Sequence, residues 1–410
     1  MKQEFETVII GGGAAGLMAA VSAAQRGDSV VVLEANVQLG RKILVSGNGR
    51  CNLTNIDGDN VSHFHGSNPR FIGSVLEQLP VNETLALFDD LGVVTKQEKR
   101  GRLFPQSDQA RSIVDVLEDR VVQLGGQIAT QARIEQLDGG DGGYEVRSGD
   151  GRLWRGDRVI MASGGISVPK LGADDSGLQL VEKLGHSRTS LYPGLVALNS
   201  DNPQVHRMQG LKVWAQVSAP LSSGRVVVDT DDLLFAKYGV SGFTILNLSA
   251  VLVDELRRGP VELSVNVLPG HSVEEVSALL KTRWERNPRR SLELSFAGLL
   301  STKLTRPLLE GGGFERESVV QRISKAQRWQ LSQLLTDWRI MVTGPRPFEY
   351  AEVTIGGVHN GEIDAQTLES YITPGLYLTG EMIDVHGDLG GFNFQWAWSS
   401  GWVAGRRLGS

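Results

Sequence analysis

"TVIIGGGAAGLMAAVSAAQRGDSVVVLE", residues 7–34, decides the fold. A β-branched run, TVII, leads at once into three glycines. A stretch of small and apolar residues follows, closed by Gly27, and then a second branched run, VVVLE. Branched side chains favour a pleated strand, whereas the alanines here favour a helix able to lie close to a sheet, and glycine ends it. Ala14, Ala15, Ala19, Ala20, Ala23 and Ala24 keep that helix thin. Strand, tight turn, helix and strand make a βαβ unit, which predicts a parallel sheet with helices packed on it.

Gly11, Gly13 and Gly16 form GxGxxG between that strand and that helix, and Glu34 stands 18 residues beyond Gly16, at the end of the next strand. Gly11 permits the tight turn, and Gly13 lets backbone approach a pyrophosphate at the positive end of the helix. Gly16 permits contact between helix and sheet, and Glu34 can accept from ribose hydroxyls. NAD and FAD sites share this fingerprint.

The chain has 410 residues, which predicts two or three domains. Its single cysteine, Cys51, excludes an intramolecular disulfide. A polar N-terminus, MKQEFET, gives no signal peptide, so a cytoplasmic protein is expected, and no apolar run reaches the length of a membrane span. The net charge of −6 argues against indiscriminate nucleic-acid binding, yet it hides a local excess. Residues 281–328 hold eleven basic side chains (Lys281, Arg283, Arg286, Arg289, Arg290, Lys303, Arg306, Arg316, Arg322, Lys325, Arg328) against five acidic ones, Glu285, Glu293, Glu310, Glu315 and Glu317. The 50 glycines exceed the usual share of about 7% and fall in short loops, as backbone-lined ligand sites require.

Further along, SDQARSIVDVLEDRVVQLGG predicts an amphipathic helix with Ser107 as N-cap and Ala110, Val114, Leu117, Val121 and Leu124 on its buried stripe. Short strands between 127 and 162 form a meander ending in RVIMASGG. From 193 to 270 the pattern is mainly β; from 271 to 342 it is mainly helical, beginning at a Ser272/Glu275 capping box. This reads as a domain, 193–342, inserted into an α/β domain made of 1–192 and 343–410.

"VIMASGG" resembles the second glycine signature of two-dinucleotide-fold flavoproteins, and "GLYLTGE" their late strand, which implies FAD as the cofactor. Four more stretches, GRKILVSGNGRCNLTN, GRLFPQSDQA, LLFAKYGVSG and the long run from VTIGGVHNGE to WSSGWVAG, resemble the HI0933-like (YhiN/BaiN-type) NAD(P)/FAD-dependent oxidoreductases over residues 6–405. The resemblance implies a Rossmann-like, glutathione-reductase-like FAD-binding domain interrupted by a β-barrel-like and helical insertion. It places Gly11, Gly13, Ala14, Ala15, Glu34, Arg41 and Lys42 at the adenosine and pyrophosphate. Ser46, Gly47, Gly49 and Asn52 would border the flavin, and Gly164 matches the second glycine signature. Glu381 and Asp384 would reach the ribityl chain, with Gly390, Gly391, Phe392, Asn393 and Gln395 at the isoalloxazine edge. LGADDSG, Val168 and Tyr371 depart from the family pattern.

The resemblance also implies reduction of activated C=C bonds, including steroid enones and uracil in ribosomal RNA, or oxidation of amines. A non-catalytic FAD-containing RNA-binding protein is the reading of another class. EGGGFERES lacks a strand and the fingerprint, so NAD(P)H, the expected electron donor, has no domain of its own. Reducing an alkene needs a proton as well as a hydride. Cys51 is the candidate acid, with Arg50 and Arg41 near enough in sequence to lower its pKa; the other reading is a small residue packed beside the cofactor. His386, Tyr238 and Ser241 are further polar candidates. The basic insertion with Trp284 and Trp329 is a candidate ribosomal RNA surface, or else a solvated face with its tryptophans in the core. Trp396, Trp398 and Trp402 are expected to pack the last helix.

Overall fold

The computed structural model describes residues 3–140 and 142–406. Asp141 of the meander and the outermost residues of the expected α/β domain, 1–2 and 407–410, lie outside them. The chain forms two compact units, one from 1–192 with 352–410 and one from 193–351.

In the first unit, β1 (Gln3–Ile10), α1 (Ala14–Gln25) and β2 (Val30–Leu33) are the βαβ element read from the sequence. A kinked helix, α2 (Arg41–Gly49), and a short strand, β3 (Phe64–Gly66), follow, then α3 (Ala110–Gln123), β4 (Gln127–Ala129) and the meander β5 (Ile134–Gly140), β6 (Gly143–Ser148) and β7 (Leu153–Met161). After the insertion come β8 (Leu376–Leu378), β9 (Val385–Gly387) and α4 (Phe392–Gly405). The main sheet runs β4-β2-β1-β7-β6-β5, with β8 also paired to β7. β7 serves two neighbours on one side: its first half pairs antiparallel with β6, and residues 159–161 pair parallel with β8. The carboxyl ends of β1, β7 and β8 therefore lie side by side, Ile10 opposite Met161 and Met161 opposite Leu378.

Glycine and alanine set the distances here. A Cβ on Gly16 would stand 1.9 Å from the Gly11 carbonyl oxygen, closer than any atom can approach. On the other side of α1, a Cβ on Gly401 would lie 2.3 Å from Ala15 O, and one on Gly405 2.4 Å from Ala19 O. The last helix thus lies with its backbone against that of the first, and an added methyl there costs about 1–3 kcal/mol in displaced backbone. Arg158, buried on β7, fastens the same corner. It donates to Asp28 (2.9 Å), Thr7 (2.8 Å) and the terminal carbonyls of α4 at Ala404 (3.1 Å) and Gly405 (2.8 Å).

The second unit is an antiparallel sheet in the order Trp338–Val342, Val261–Asn266, Lys212–Pro220, Val226–Ala236, Gly239–Ser241, Leu198–Asn199, Gly344–Pro345. Its first and last strands are separated along the chain by Thr343 alone, so one stretch carries both edges and the sheet must curl into a barrel-like form. Val273–Arg286 and Lys325–Thr336 begin with capping boxes, Ser272 with Glu275 and Ser324 with Gln327.

Three boundaries differ from the sequence reading. Residues 343–351 belong with the insertion, because Gly344–Pro345 pairs with Leu198–Asn199. The mainly β half contains a 14-residue helix, Phe243–Leu256, whose Ile245, Leu248, Leu252 and Leu256 are buried. Gln109, not Ser107, occupies the N-cap of α3, since Asp108 takes a left-handed turn (φ 53°) just before it. Among the described residues, no helix is long and apolar enough to cross a membrane.

Candidate functional site

Open parallel sheets bind ligands beyond the carboxyl ends of their strands, and the expected residues of the first unit gather there. Gly11 makes the turn after β1 with φ 114°, where a Cβ would strike Ala162 O at 2.3 Å. Gly13 differs from its neighbours: a Cβ added to it meets nothing within 4 Å. It also begins α1 with no side-chain cap and no acid in the first turn, so the positive helix end faces open space. Glu34 is buried and fixed; it accepts from Gly12 N–H (2.9 Å), Asn36 N–H (2.8 Å) and the Asn36 amide (2.7 Å). Arg41 donates to Asn36 (2.8 Å) and to Lys170 O (3.1 Å), and Gly40 N–H to Gly12 O (2.9 Å).

Lys42 reaches across to Glu381 at 2.7 Å, and Glu381 accepts from Thr354 N–H at 2.8 Å. The second glycine turn comes to the same place: a Cβ on Gly164 (φ 76°) would lie 3.9 Å from Glu381 Oε2. Gly380 lies against Ala15, where a Cβ would come within 2.8 Å of the alanine methyl. Thr354, which the sequence reading overlooked, holds that turn, accepting from Ile166 N–H (2.9 Å) and Ser167 N–H (3.1 Å). Asp384 stands apart. Burial raises its carboxyl above the ordinary range, against the opposing effects of His359, Ser67 and Thr189.

The α2 helix breaks at Ser46, and Gly47, Asn48 and Gly49 continue in left-handed conformations. Cys51 is also left-handed, at φ 62°, a conformation that costs a non-glycine residue about 1–3 kcal/mol. Its side chain is fully buried, and burial pushes the thiol up to about 12, only partly opposed by a hydrogen bond with Ser46. The expected lowering by arginines does not occur. Arg50 is held by Glu98 at 2.6 Å over the Phe104 ring at 4.3 Å, and Arg41 is held by Asn36. Beside the cysteine, Asn52 Oδ1 is buried without a hydrogen-bond partner, as is the Thr379 hydroxyl.

Gly390 and Gly391 meet this loop. A Cβ on Gly391 would overlap Thr54 at 2.5 Å, and Asn55, another residue missed in the sequence, donates to Gly390 O at 2.9 Å. Asn393 braces the turn, accepting from Gly387 N–H and donating to Gly387 O, both at 2.8 Å. Gly391 begins α4 without a side-chain cap. Gln395, expected at the flavin edge, is instead spent inside: its amide is satisfied by Thr54, Thr84, Leu79 O and Ser399. Trp396 and Trp398 are buried packing residues bonded to Gly380 O and Leu53 O, and Phe392 is buried as well.

Tyr238 and Ser241 belong to the second unit, where the Tyr238 ring lies under Arg346 at 4.3 Å. In the basic segment Trp284 is core, buried and bonded to Ser295 at 3.0 Å, while Trp329 is 37% exposed. Lys281, Arg283, Lys303, Arg306, Arg316 and Arg328 are engaged by carboxylates, hydroxyls or carbonyls of the same unit. Arg286, Arg289, Arg290, Arg322 and Lys325 are exposed and carry no ion pair among the described residues. Backbone bonds from Gln321 to Pro288 and from Val320 to Arg290 bring these five to one corner.

A family model described as the HI0933-like protein Rossmann domain matches residues 5–407. A 3-dehydro-bile acid Δ(4,6)-reductase of Clostridium scindens is 36% identical over 401 residues, 97% of each chain. A ribosomal RNA dihydrouridine synthase of Escherichia coli is 33% identical over 409 residues, covering 99% of this chain and 98% of that one. Among solved structures, the 3-ketosteroid-Δ4-(5α)-dehydrogenase of Rhodococcus jostii RHA1 superposes with a TM-score of 0.52 at 15% identity, covering 99% of this chain and 97% of the other. At that identity the likeness speaks for the fold.

Proposed function

The chain belongs to the HI0933-like family, and from that premise we propose that it is an FAD-dependent oxidoreductase that saturates an activated C=C bond with electrons from NAD(P)H. Both curated relatives bear the names of reductive activities, one toward a bile acid and one yielding dihydrouridine. The observation that carries the cofactor is the space at Gly13 in front of an uncapped helix, together with the buried, unpartnered Asn52 carbonyl at the other end of the same group of loops.

The donor set fits a flavin dinucleotide. Backbone N–H groups of the first turn of α1 suit the pyrophosphate, Glu34 the ribose, and Lys42 with Glu381 the linking chain; residues 46–52 and 390–393 suit the ring. When bound, FAD takes two electrons from one substrate and passes them to another. The protein's share is to orient and to bias charge: the uncapped N-terminus of α4 favours negative charge nearby, and the buried wall around Cys51 keeps water away.

For the acceptor, the five unpaired cations beside Trp329 favour uracil in ribosomal RNA, since phosphates and exposed bases are what cations and an open indole bind. A small unsaturated carbonyl compound is the second reading, supported by the 36% identity to the bile acid reductase. The deciding experiment is to reduce the purified flavoprotein anaerobically with NADPH or NADH and mix it with ribosomal RNA or with a conjugated enone. The acceptor that restores the oxidised flavin spectrum identifies the class; peroxide formed from amines without NAD(P)H would refute both. If RNA binds at the cationic corner, five phosphate contacts give a log–log salt slope of about −3.5 for single strands, and a flat dependence rules that surface out.

A further inference from the structure

A two-stranded antiparallel ribbon in the first unit pairs β3 with β9 and sets His65 opposite His386. His63, the last residue of a single 3-10 turn, directly precedes β3, and Asp388 directly follows β9. The patterns His63-Phe64-His65 and His386-Gly387-Asp388 thus bring three of the chain's seven histidines and one carboxylate together. Asp388 divides its two oxygens between two imidazoles. Oδ2 is 3.0 Å from His63 Nδ1, and Oδ1 is 2.7 Å from His65 Nε2.

Each member is held. Asp388 N–H donates to His63 O at 2.8 Å, and Asn393 fixes the preceding glycine. The His63 ring lies on the Phe392 ring, centroids 4.4 Å apart and planes 24° from parallel. His65 stacks on His386 at 5.1 Å. His386 is buried, with neither ring nitrogen partnered among the described residues; burial, and then the neighbouring His65, push it down to about 3, so it stays neutral. Asp388 is partly buried, which opposes ionisation, but hydrogen bonds from His65 and His63 hold it below the usual carboxylate range. Within the cluster His386 is thus neutral and Asp388 ionised. The side chains of the two outer histidines are 35% and 32% exposed, open enough to exchange protons with water.

Two residues beyond Asp388 begin Gly390 and Gly391, the turn assigned above to the flavin edge. We propose that His63 is the proton donor of the double-bond reduction and that Asp388 is its positioning residue. The inference rests on the FAD-dependent reading of the site. His63 is chosen over His65 because its Nδ1 is engaged by Asp388 while Nε2 has no partner among the described residues, and because its plane is set by Phe392, which directly follows the turn. His65 is backed by His386. Saturating the bond adds a hydride to one carbon, supplied by the reduced dinucleotide, and a proton to the other. The His63 N–H bond breaks as the new C–H bond forms, the π bond is consumed, and His63 is left neutral until water returns a proton. Asp388 accepts from Nδ1–H and so orients the ring before and after the transfer.

The test uses the full, FAD-loaded chain with a conjugated enone or ribosomal RNA as acceptor. In His63→Gln, flavin content and anaerobic bleaching by NAD(P)H match the parent, while reoxidation by the acceptor slows by about 10²–10⁴-fold. In Asp388→Asn, flavin content and bleaching match the parent while reoxidation slows, and adding Asp388→Asn to His63→Gln slows it no further, because Asp388 acts through the His63 ring. Nuclear magnetic resonance of the His63 ring, assigned by its loss in His63→Gln, shows an Nδ1 proton held by Asp388 that is lost in Asp388→Asn, with or without flavin. Reoxidation of His63→Gln at the parental rate, or a further fall when Asp388→Asn is added to His63→Gln, overturns the proposal. A parent protein that holds no flavin, or whose reduced flavin no alkene reoxidises, overturns instead the reading on which it rests, and the proposal falls with it.

Discussion

The segment 46–55, which meets the last glycine turn through Thr54 and Asn55, and the ribbon formed by 64–66 and 385–387 both carry groups able to move protons. Burial treats them differently. The loop hides its one thiol completely and turns the neighbouring arginine outward to Glu98. The ribbon silences His386 in the same way, yet leaves two more imidazoles half open on a shared carboxylate. A reactive residue type becomes a working acid only where a partner and a route to water accompany it.

The largest effects that would break this contrast are in pH stability. His386 has its pKa depressed in the folded chain, so its contribution is present above about 6.5 and is lost as pH falls through about 3, because only the unfolded chain takes the proton. The loss amounts to about 5 kcal/mol over that window. The stability of the parent relative to His386→Leu, from urea midpoints between pH 7 and 4, should fall toward acid; an unchanged difference would mean that the histidine is not held neutral. Cys51 behaves in the opposite direction. Its raised pKa gives stability that is whole below about 9 and lost as pH rises through about 12, about 4 kcal/mol in all. Cys51→Ala should accordingly resist alkaline unfolding, read from the same midpoints at pH 8 and 11.

Smaller changes sharpen the comparison. Cys51→Ser puts a hydroxyl in the buried position and should lower stability by about 1–3 kcal/mol in a urea titration at pH 7, with bound flavin retained. Arg50→Gln breaks a half-exposed ion pair and should change the midpoint by less than about 1 kcal/mol, leaving the thiol as unreactive toward alkylation as before. Rapid labelling of Cys51 in that variant would show that the arginine, rather than burial, governs the thiol.

How far these features are legible in the sequence depends on how local their causes are. The βαβ element and the turn at residues 11–16 follow from spacing alone, because crowding between Gly11 and Gly16 is settled within six residues. The capping box at Ser272 is equally local. The internal bonding of Gln395 is not legible locally, because Thr54 and Thr84, which bond its amide, are more than three hundred residues away. Arg50 was misjudged because Glu98 is invisible from its neighbourhood. The alternation in His63-Phe64-His65 is plain once noticed, but its meaning depends on a strand whose carboxylate, Asp388, lies 323 residues beyond His65. The helix Phe243–Leu256 was absorbed into a β-rich stretch because a mostly apolar run has little contrast between its faces.

The close fit of Gly401 on Ala15 and of Gly405 on Ala19 bears on the order in which the molecule is made. During synthesis α1 emerges first and its partner α4 nearly last, so the first unit waits with one side of its opening helix uncovered. The second unit is continuous along the chain and can complete its sheet as soon as Pro345 has left the ribosome. A nascent chain whose residues up to 351 have emerged while α4 is still held in the ribosome should therefore display a finished, protease-resistant second unit beside an incomplete, chaperone-dependent first one.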